Sequence, residues 1–506
     1  MKKLAILFAV CSLTLVSCDL ELYPDNLEIQ DTALETLDDL EKFERGTYSA
    51  FRAMFNSQLI IAGDLQADYA NAVMNFSNTY GPLHSWTYNY NDYEVADVWN
   101  AIYYAIANTN WVLYKKDVVE ATLETEDDIL LFDKIIGEMY FIRAFGHFLA
   151  VEKFAGAYDE ATIDEPFSGV PVIQAYNPTE LPSRKTLRES YQAILDDIAL
   201  AEELLASTPG VTSSTKISYD AVLALKARVA LQMKDYDTAY AAATELINLG
   251  VYELADTTEE LKNIFTYDTG SEIILVPYAS VTELAGIGGD SFILDVNSAD
   301  DYFRPDYIPT KAQVDLYADN DIRKEAYFLA LGDGKVEIGS SKLQSVVYLM
   351  NKYPGNPNLQ KVAGTKNYAN AVKVFRIAEM YLIAAEAGVN GAGDGMTYLN
   401  ALRQARGLDA LSIVSMSDVK EERRREMMFE GNRISDLKRW GDAMTGRTPQ
   451  TGTSTDGSAA VLHNDGDNYN NLTVSAGDFR FVWPIPANEI YANQNLASQQ
   501  NPGWIN

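Results

Sequence analysis

Glu421, Glu422, Glu426 and Glu430 are the residues of this 506-residue chain whose type and spacing come nearest to catalysis. Paired carboxylates are what glycoside hydrolysis needs, one as acid and the other as base or nucleophile. Arg423, Arg424 and Arg425 interrupt the series, and the stretch also reads as an alternating-charge helix from about Ser417 to Gly431 with local ion pairs. The charge pattern favours that second reading, so no catalytic residue is expected. Asp465-Gly466-Asp467-Asn468 opens like a calcium loop, but the remaining ligand positions and the distal Glu are missing. Gly391-Ala-Gly393-Asp-Gly395 lies between two helical stretches rather than after a strand, which rejects a dinucleotide site. His84, His147 and His463 are scattered, and neither G-x-S-x-G nor H-E-x-x-H occurs. No metal, no cofactor and no enzymatic activity are expected.

The two cysteines carry a different message. Met1-Lys2-Lys3 is a basic start, and Leu4 to Val16 is a thirteen-residue apolar run ending in Leu15-Val16-Ser17-Cys18. Such a run is too short for a resident membrane helix and suits a secretory leader. Small or aliphatic residues just before a cysteine resemble the lipobox of bacterial lipoproteins, where the thiol is acylated and the leader is removed. Residues 1–17 are therefore expected to be a lipoprotein signal peptide, with Cys18 the lipidated residue. Cys11 would leave with the leader. Residues 18–32 are acidic, carry Pro24 and show no helical period, as expected of a tether.

The hydrophobic fraction of 47% and the aromatic fraction of 11% support a real core. The formal net charge of −32 repels polyanions, which argues against nucleic acid as a partner. No second apolar run is long enough to cross a bilayer.

From Ala33 onward most of the chain reads helical. Ser218 to Gly250 matches one tetratricopeptide repeat in length. Val222, Leu225, Val229 and Met233 mark its first helix, and Ala221, Ala224, Ala227 and Ala230 would let a neighbour approach closely. Thr125-x-x-Asp128 signals another helix start, followed by the apolar face Ile135, Met139, Ile142, Phe145 and Leu149. A third helix is expected from about Lys373 to Gly388, apolar nearly all round, with Arg376 and Glu379 as neighbours in a structural pair. Residues 56–96, 251–312 and 443–482 read as irregular, and loops of that length are usually functional or mobile.

Several segments taken together resemble the SusD/RagB family of outer-membrane nutrient-binding lipoproteins. They are Phe375 to Ala387, Leu399 to Gly407, Glu422-Arg-Arg-Arg-Glu426, Phe429 to Trp440, Trp483-Pro-Ile-Pro486 and Asn501-Pro-Gly-Trp504. Glu138 to Phe145, Gly169-Val-Pro171, Asp220 to Leu231 and Tyr307 to Arg323 agree with it. Gln66-Ala-Asp68-Tyr69 and Tyr176-Asn-Pro178 look more like the RagB branch. The resemblance implies an all-α fold of about four tetratricopeptide-like helix pairs with an irregular, loop-rich ligand-binding lobe. The expected division is an N-terminal region, 33–255, and a C-terminal region, 256–506, with a helix pair at 373–405. It also implies a lipid-anchored protein facing the exterior of a Gram-negative cell. Such a protein passes oligosaccharide to a SusC-like TonB-dependent transporter; the alternatives are peptide as ligand, or an outer-membrane glycan hydrolase.

Family members hold glycans on aromatic rings, and a sugar's C–H face does bury well against a flat ring while amides and carboxylates meet its hydroxyls. Two of the irregular regions offer such residues: Asp68, Asn71, Trp86, Tyr88, Tyr90 and Asp92 in the first, Tyr278, Asn297, Tyr302 and Phe303 in the second. Trp99 and Trp111 lie at helical spacing and read as core.

Overall fold

The computed structural model describes residues 33–283, 294–297 (as backbone), 302–364, 367–466, 469 and 471–504. Cys18 and the acidic segment after it lie outside the described residues. Helix α1 (Leu37–Met54) opens on a capping box in which Thr36 and Asp39 satisfy each other's backbone N–H groups. Two long helices follow, α2 (Tyr93–Glu120) and α3 (Glu126–Phe154), then α4 (Leu187–Leu204). The capping box expected at Thr125 and Asp128 starts α3, and Ile135, Met139, Ile142, Phe145 and Leu149 are all buried.

The repeat expected at 218–250 is a helix pair, α5 (Tyr219–Gln232) and α6 (Tyr236–Asn248). The Ser218 side chain accepts from the Ala221 N–H to cap it, and Gly250 closes it at φ +64°. Ala221, Ala224 and Ala227 are fully buried, as a small-residue face against close neighbours requires. After α7 (Thr258–Tyr267) and the lobe described below, α8 (Ile377–Ala387) and α9 (Gly395–Ala405) form the last pair. Consecutive members pack on one another from α1 to α6, and α8 joins α6 to α9. Four helix pairs thus stack in order, the first three and one face of α8 around a main core, with α9 packed on α8 through a second apolar cluster that includes Leu399 and Leu402.

Four expectations need correction. α8 begins at Ile377 rather than near Lys373, because Phe375–Arg376 pair as a strand with Ile273–Leu275. Arg376 therefore does not meet Glu379; the Glu379 carboxylate instead receives Arg228 Nε at 2.8 Å. The charged helix, α10 (Met416–Glu426), stops five residues short of Gly431, where Phe429 at φ 57° and Gly431 at φ 82° turn the chain toward α11 (Arg433–Trp440). The stretch 251–312, expected to be irregular throughout, contains α7, capped by the Thr257 side chain on the Glu260 N–H.

The lobe is built of short antiparallel ladders. Ala70–Ala72 pairs with Tyr307–Pro309, Leu294–Asn297 with Tyr302–Pro305, Phe328–Leu331 with Val347–Met350, and Glu337–Ile338 with Ser341–Lys342. Val73, Ile308, Val336, Ile338, Leu343, Val347, Leu349 and Leu462 form its own small apolar core. Among the described residues no helix is long and apolar enough to cross a membrane.

Candidate functional site

The carboxylates of α10 are occupied. Glu426 Oε1 receives Arg376 Nη1 and Arg406 Nη2, both at 2.9 Å, while its Oε2 receives Arg406 Nε at 2.9 Å and Arg323 Nη1 at 3.1 Å. Glu430 is held by Arg376 Nη2 at 2.5 Å and Lys352 Nζ at 2.7 Å. Glu422 meets Arg323 at 2.6 Å and Arg425 at 2.8 Å, and Glu272 bridges Arg376 and Arg406 at 2.7 Å each. Only the bonds from Arg425 to Glu421 and Glu422 are local, so the expected local pairs are mostly replaced by long-range ones. Burial alone would raise the Glu426 carboxyl, but Arg406 and Arg376 outweigh it and hold it well below the usual range. Glu422 and Glu430 are likewise lowered by their cations against the effect of burial. A catalytic acid needs a raised pKa and access to substrate. These three glutamates have neither.

The residues expected to touch ligand separate into groups. Asp68 is buried, bonded to Arg433 at 2.9 Å and Arg424 at 3.2 Å, with its pKa lowered by those cations against burial. Asn71 is fully buried on the strand paired with Ile308. Trp86 is 1% exposed; its indole N–H donates to the Gln66 carbonyl at 2.7 Å and its ring abuts Phe481. Tyr88 is also interior, and its hydroxyl donates to the Arg480 carbonyl. Neither ring offers a face to a ligand in this structure, which corrects the expectation for Trp86 and Tyr88: distant segments, not solvent, cover them. Tyr90 and Asp92 are half-buried at the start of α2, where the Asp92 carboxylate accepts from the Asn89 N–H at 2.8 Å. Tyr278 is exposed but stands apart, its carbonyl receiving Arg52 of α1 at 2.7 Å. Asn297 pairs through its backbone with Tyr302, and its side chain lies outside the described ones.

Tyr302 and Phe303 lie on the lobe's hairpin, where Tyr302 is buried and, like Trp86 and Tyr88, offers no free ring face, which corrects the expectation for it. Arg304 Nη2 donates to the Tyr302 hydroxyl at 2.6 Å, Arg304 Nε meets Glu337 at 3.0 Å, and Lys342 Nζ lies 4.4 Å from the Tyr302 ring centroid. Phe303 is half-buried against the lobe core. Beside this hairpin runs the turn 74–80. Asn75, Asn78 and Tyr80 take φ of 60°, 67° and 56°, a left-handed backbone that asparagine tolerates better than most residues. The turn is nevertheless fixed. The Ser77 N–H and hydroxyl both donate to the Asp306 carboxylate, the Tyr307 hydroxyl donates to the Thr79 carbonyl at 2.6 Å, and Phe76 packs edge-on against Tyr307 and Tyr469. Asn75, Ser77 and Asn78 stay exposed.

This rim of the lobe thus combines amides, a hydroxyl, charged donors and aromatic edges on a rigid base, which suits a polyhydroxylated ligand. The sequence reading passed over Asn75, Ser77 and Asn78, although the Asn-Phe-Ser-Asn run within an aromatic loop was a visible cue. Asp467 and Asn468 of the calcium-like loop lie outside the described residues. Trp99 is buried as expected. Trp111 is not: it is half-buried on the outer side of α2, because it falls between buried Asn110 and Val112.

Comparison with known proteins agrees with this architecture. Residues 341–504 match the profile described as SusD family, and residues 23–231 match one described as starch-binding associating with outer membrane. A SusD-like protein of Formosa agariphila is 22% identical over 484 residues, 87% of this chain and 91% of the relative. The starch-binding protein SusD of Bacteroides thetaiotaomicron is 28% identical over 224 residues, 39% of this chain and 37% of the relative. The crystal structure of a SusD superfamily protein from Bacteroides thetaiotaomicron superposes with a TM-score of 0.77 at 25% identity, covering 92% of this chain and all of the other. The helix-pair bundle with its irregular lobe is the architecture of one protein family. The chain belongs to it, the SusD/RagB family.

Proposed function

We propose that this protein is a lipid-anchored, surface carbohydrate-binding protein that captures an oligosaccharide and passes it to a SusC-like TonB-dependent transporter. The observation that carries the reading is the pair of family matches at opposite ends of one chain, the N-terminal one described as starch-binding and outer-membrane associated. The rim of the lobe supports it chemically. Asn75, Ser77 and Asn78 offer donors and acceptors to hydroxyls, and half-buried Phe303 lies on the adjoining hairpin. A binding role is favoured over hydrolysis because Glu422, Glu426 and Glu430 are sealed in buried ion pairs. We place the anchor at Cys18 and the protein on the outer membrane, facing the exterior.

Calorimetry of the mature protein against a panel of neutral oligosaccharides and a panel of peptides tests this. The expected result is binding of at least one oligosaccharide, recovered intact afterwards. Binding confined to peptides, or cleavage of the bound sugar, would overturn it.

A further inference from the structure

The outer face of α2 carries aromatic residues where a solvated helix ordinarily carries charge. Tyr104 and Tyr114 are each 62% exposed, and Trp111 lies half-buried one turn before Tyr114. Tyr176 comes up from the loop after Pro171 to complete a three-ring cluster. The Trp111 and Tyr114 rings lie 6.0 Å apart with only 33° between their planes. Tyr176 abuts Trp111 edge-on at 4.8 Å and leans on Tyr114 at 5.5 Å.

This cluster is not a chance collapse of a floppy loop, because buried polar groups hold the loop in place. The Tyr103 hydroxyl donates to the Pro171 carbonyl at 2.9 Å, Asn110 Nδ2 to the Ile173 carbonyl at 2.8 Å and Arg143 Nη1 to the Gln174 carbonyl at 2.8 Å. The Ile173 N–H donates to His147 Nε2 at 3.1 Å, and burial depresses that imidazole to a pKa of about 3, so it stays a neutral acceptor. Arg143 is itself fixed by two bonds to Asp197, at 2.8 and 2.7 Å. Buried charge pairs are expensive to desolvate and are best justified where they specify geometry. Here that geometry is a surface loop ending in Tyr176.

We propose that Trp111, Tyr114 and Tyr176 form a second carbohydrate-binding platform, separate from the lobe rim, that takes consecutive sugar residues of a neutral glycan. The inference rests on the carbohydrate reading above. Two rings 6.0 Å apart with only 33° between their planes suit the spacing of two sugar rings in succession. The exposed amides of Gln174 and Asn177 lie in the same loop as Tyr176, and Lys115 Nζ lies 5.3 and 5.9 Å from the Trp111 and Tyr114 centroids. A net charge of −32 repels an anionic glycan and leaves a neutral one unopposed.

The test uses the full mature protein and the longest oligosaccharide that binds in the panel. Tyr114→Ala, at an exposed position, and Trp111→Phe, which keeps a ring in the half-buried slot, are compared with Ser77→Ala/Asn78→Ala in the lobe. Tyr114→Ala is expected to weaken binding roughly tenfold with an unchanged melt. Added to the lobe variant, it should remove the binding that remains. Wild-type affinity and stoichiometry in both platform variants would overturn the platform and leave the carbohydrate reading standing. Failure of the wild type to bind any oligosaccharide would overturn both.

Discussion

At the scale of single residues, Trp86 and Asp64 show how much of this molecule is decided by partners remote in sequence. Trp86 packs with Ala67, Ile434, Leu437, Met444, Val474 and Phe481, and its N–H is spent on the Gln66 carbonyl. Trp86→Ala is expected to destabilise the fold by about 3–5 kcal/mol through the cavity it leaves, lowering the denaturant midpoint; an unchanged midpoint with weaker glycan binding would return it to the site. Sequence alone could not reveal this, because no local period announces contacts made across more than three hundred residues. Asp64 is fully buried, accepts the Gly431 and Arg433 N–H groups at 2.9 and 3.0 Å, and is pushed up to a pKa of about 7 by burial. Lys153 opposes that rise and Asp436 adds to it. A carboxyl raised in the folded state binds its proton more tightly there than in the unfolded chain, so its contribution to stability is present at low pH and is lost as pH rises through about 7. Relative to Asp64→Asn, the wild type should lose on the order of 2 kcal/mol between about pH 5 and pH 8. Urea unfolding of both proteins at the two pH values measures the difference, and parallel curves would contradict it.

At the scale of elements, legibility followed the locality of the signal. The pair α5–α6 was readable because its cap, its alanine face and its closing glycine all lie within one repeat. α3 was readable from its capping box. The first turn expected of α8 is instead a strand, because Phe375 pairs with Leu275, a partner the helical period around it cannot signal. α7 was missed inside an aromatic stretch, although Thr257 and Glu260 stand at the spacing of a helix start. The alanine face of α5 gives this scale its prediction. Ala227 is fully buried where α5 meets its neighbours. Ala227→Leu inserts a branched side chain into that contact and should cost about 1–3 kcal/mol. Thermal unfolding reports it, and an unchanged midpoint would mean the face has room to spare.

At the scale of the whole molecule, Glu426 is the point where bundle and lobe are tied together. Its carboxylate gathers Arg323 from the short helix Ile322–Tyr327 that leads into the strand Phe328–Leu331, Arg376 from just before α8, and Arg406 from the end of α9. Arg376 and Arg406 then share Glu272, and Arg376 continues to Glu430 and Lys352. The sequence disclosed the charges but not this arrangement, since its alternation of Glu and Arg is equally consistent with an exposed helix. What separates the two is that the side chains of Glu426, Arg323, Arg376 and Arg406 are all 0% exposed. A buried pair of this kind adds little against an apolar substitute, but removing one member strands the other charges in a medium that cannot solvate them. Glu426→Gln keeps the shape and removes the charge, leaving three guanidinium groups short of one counterion. The expected cost is about 3–5 kcal/mol, and because the stranded cations belong to both bundle and lobe, the two should weaken together. Glu421→Gln is the control: its partner is Arg425 and its side chain is 52% exposed, so it should change stability by no more than about 0.5 kcal/mol. Chemical denaturation of the two variants, with amide exchange to locate the weakened regions, distinguishes them; equal effects would show that the buried cluster is solvated in solution and is not the tie described.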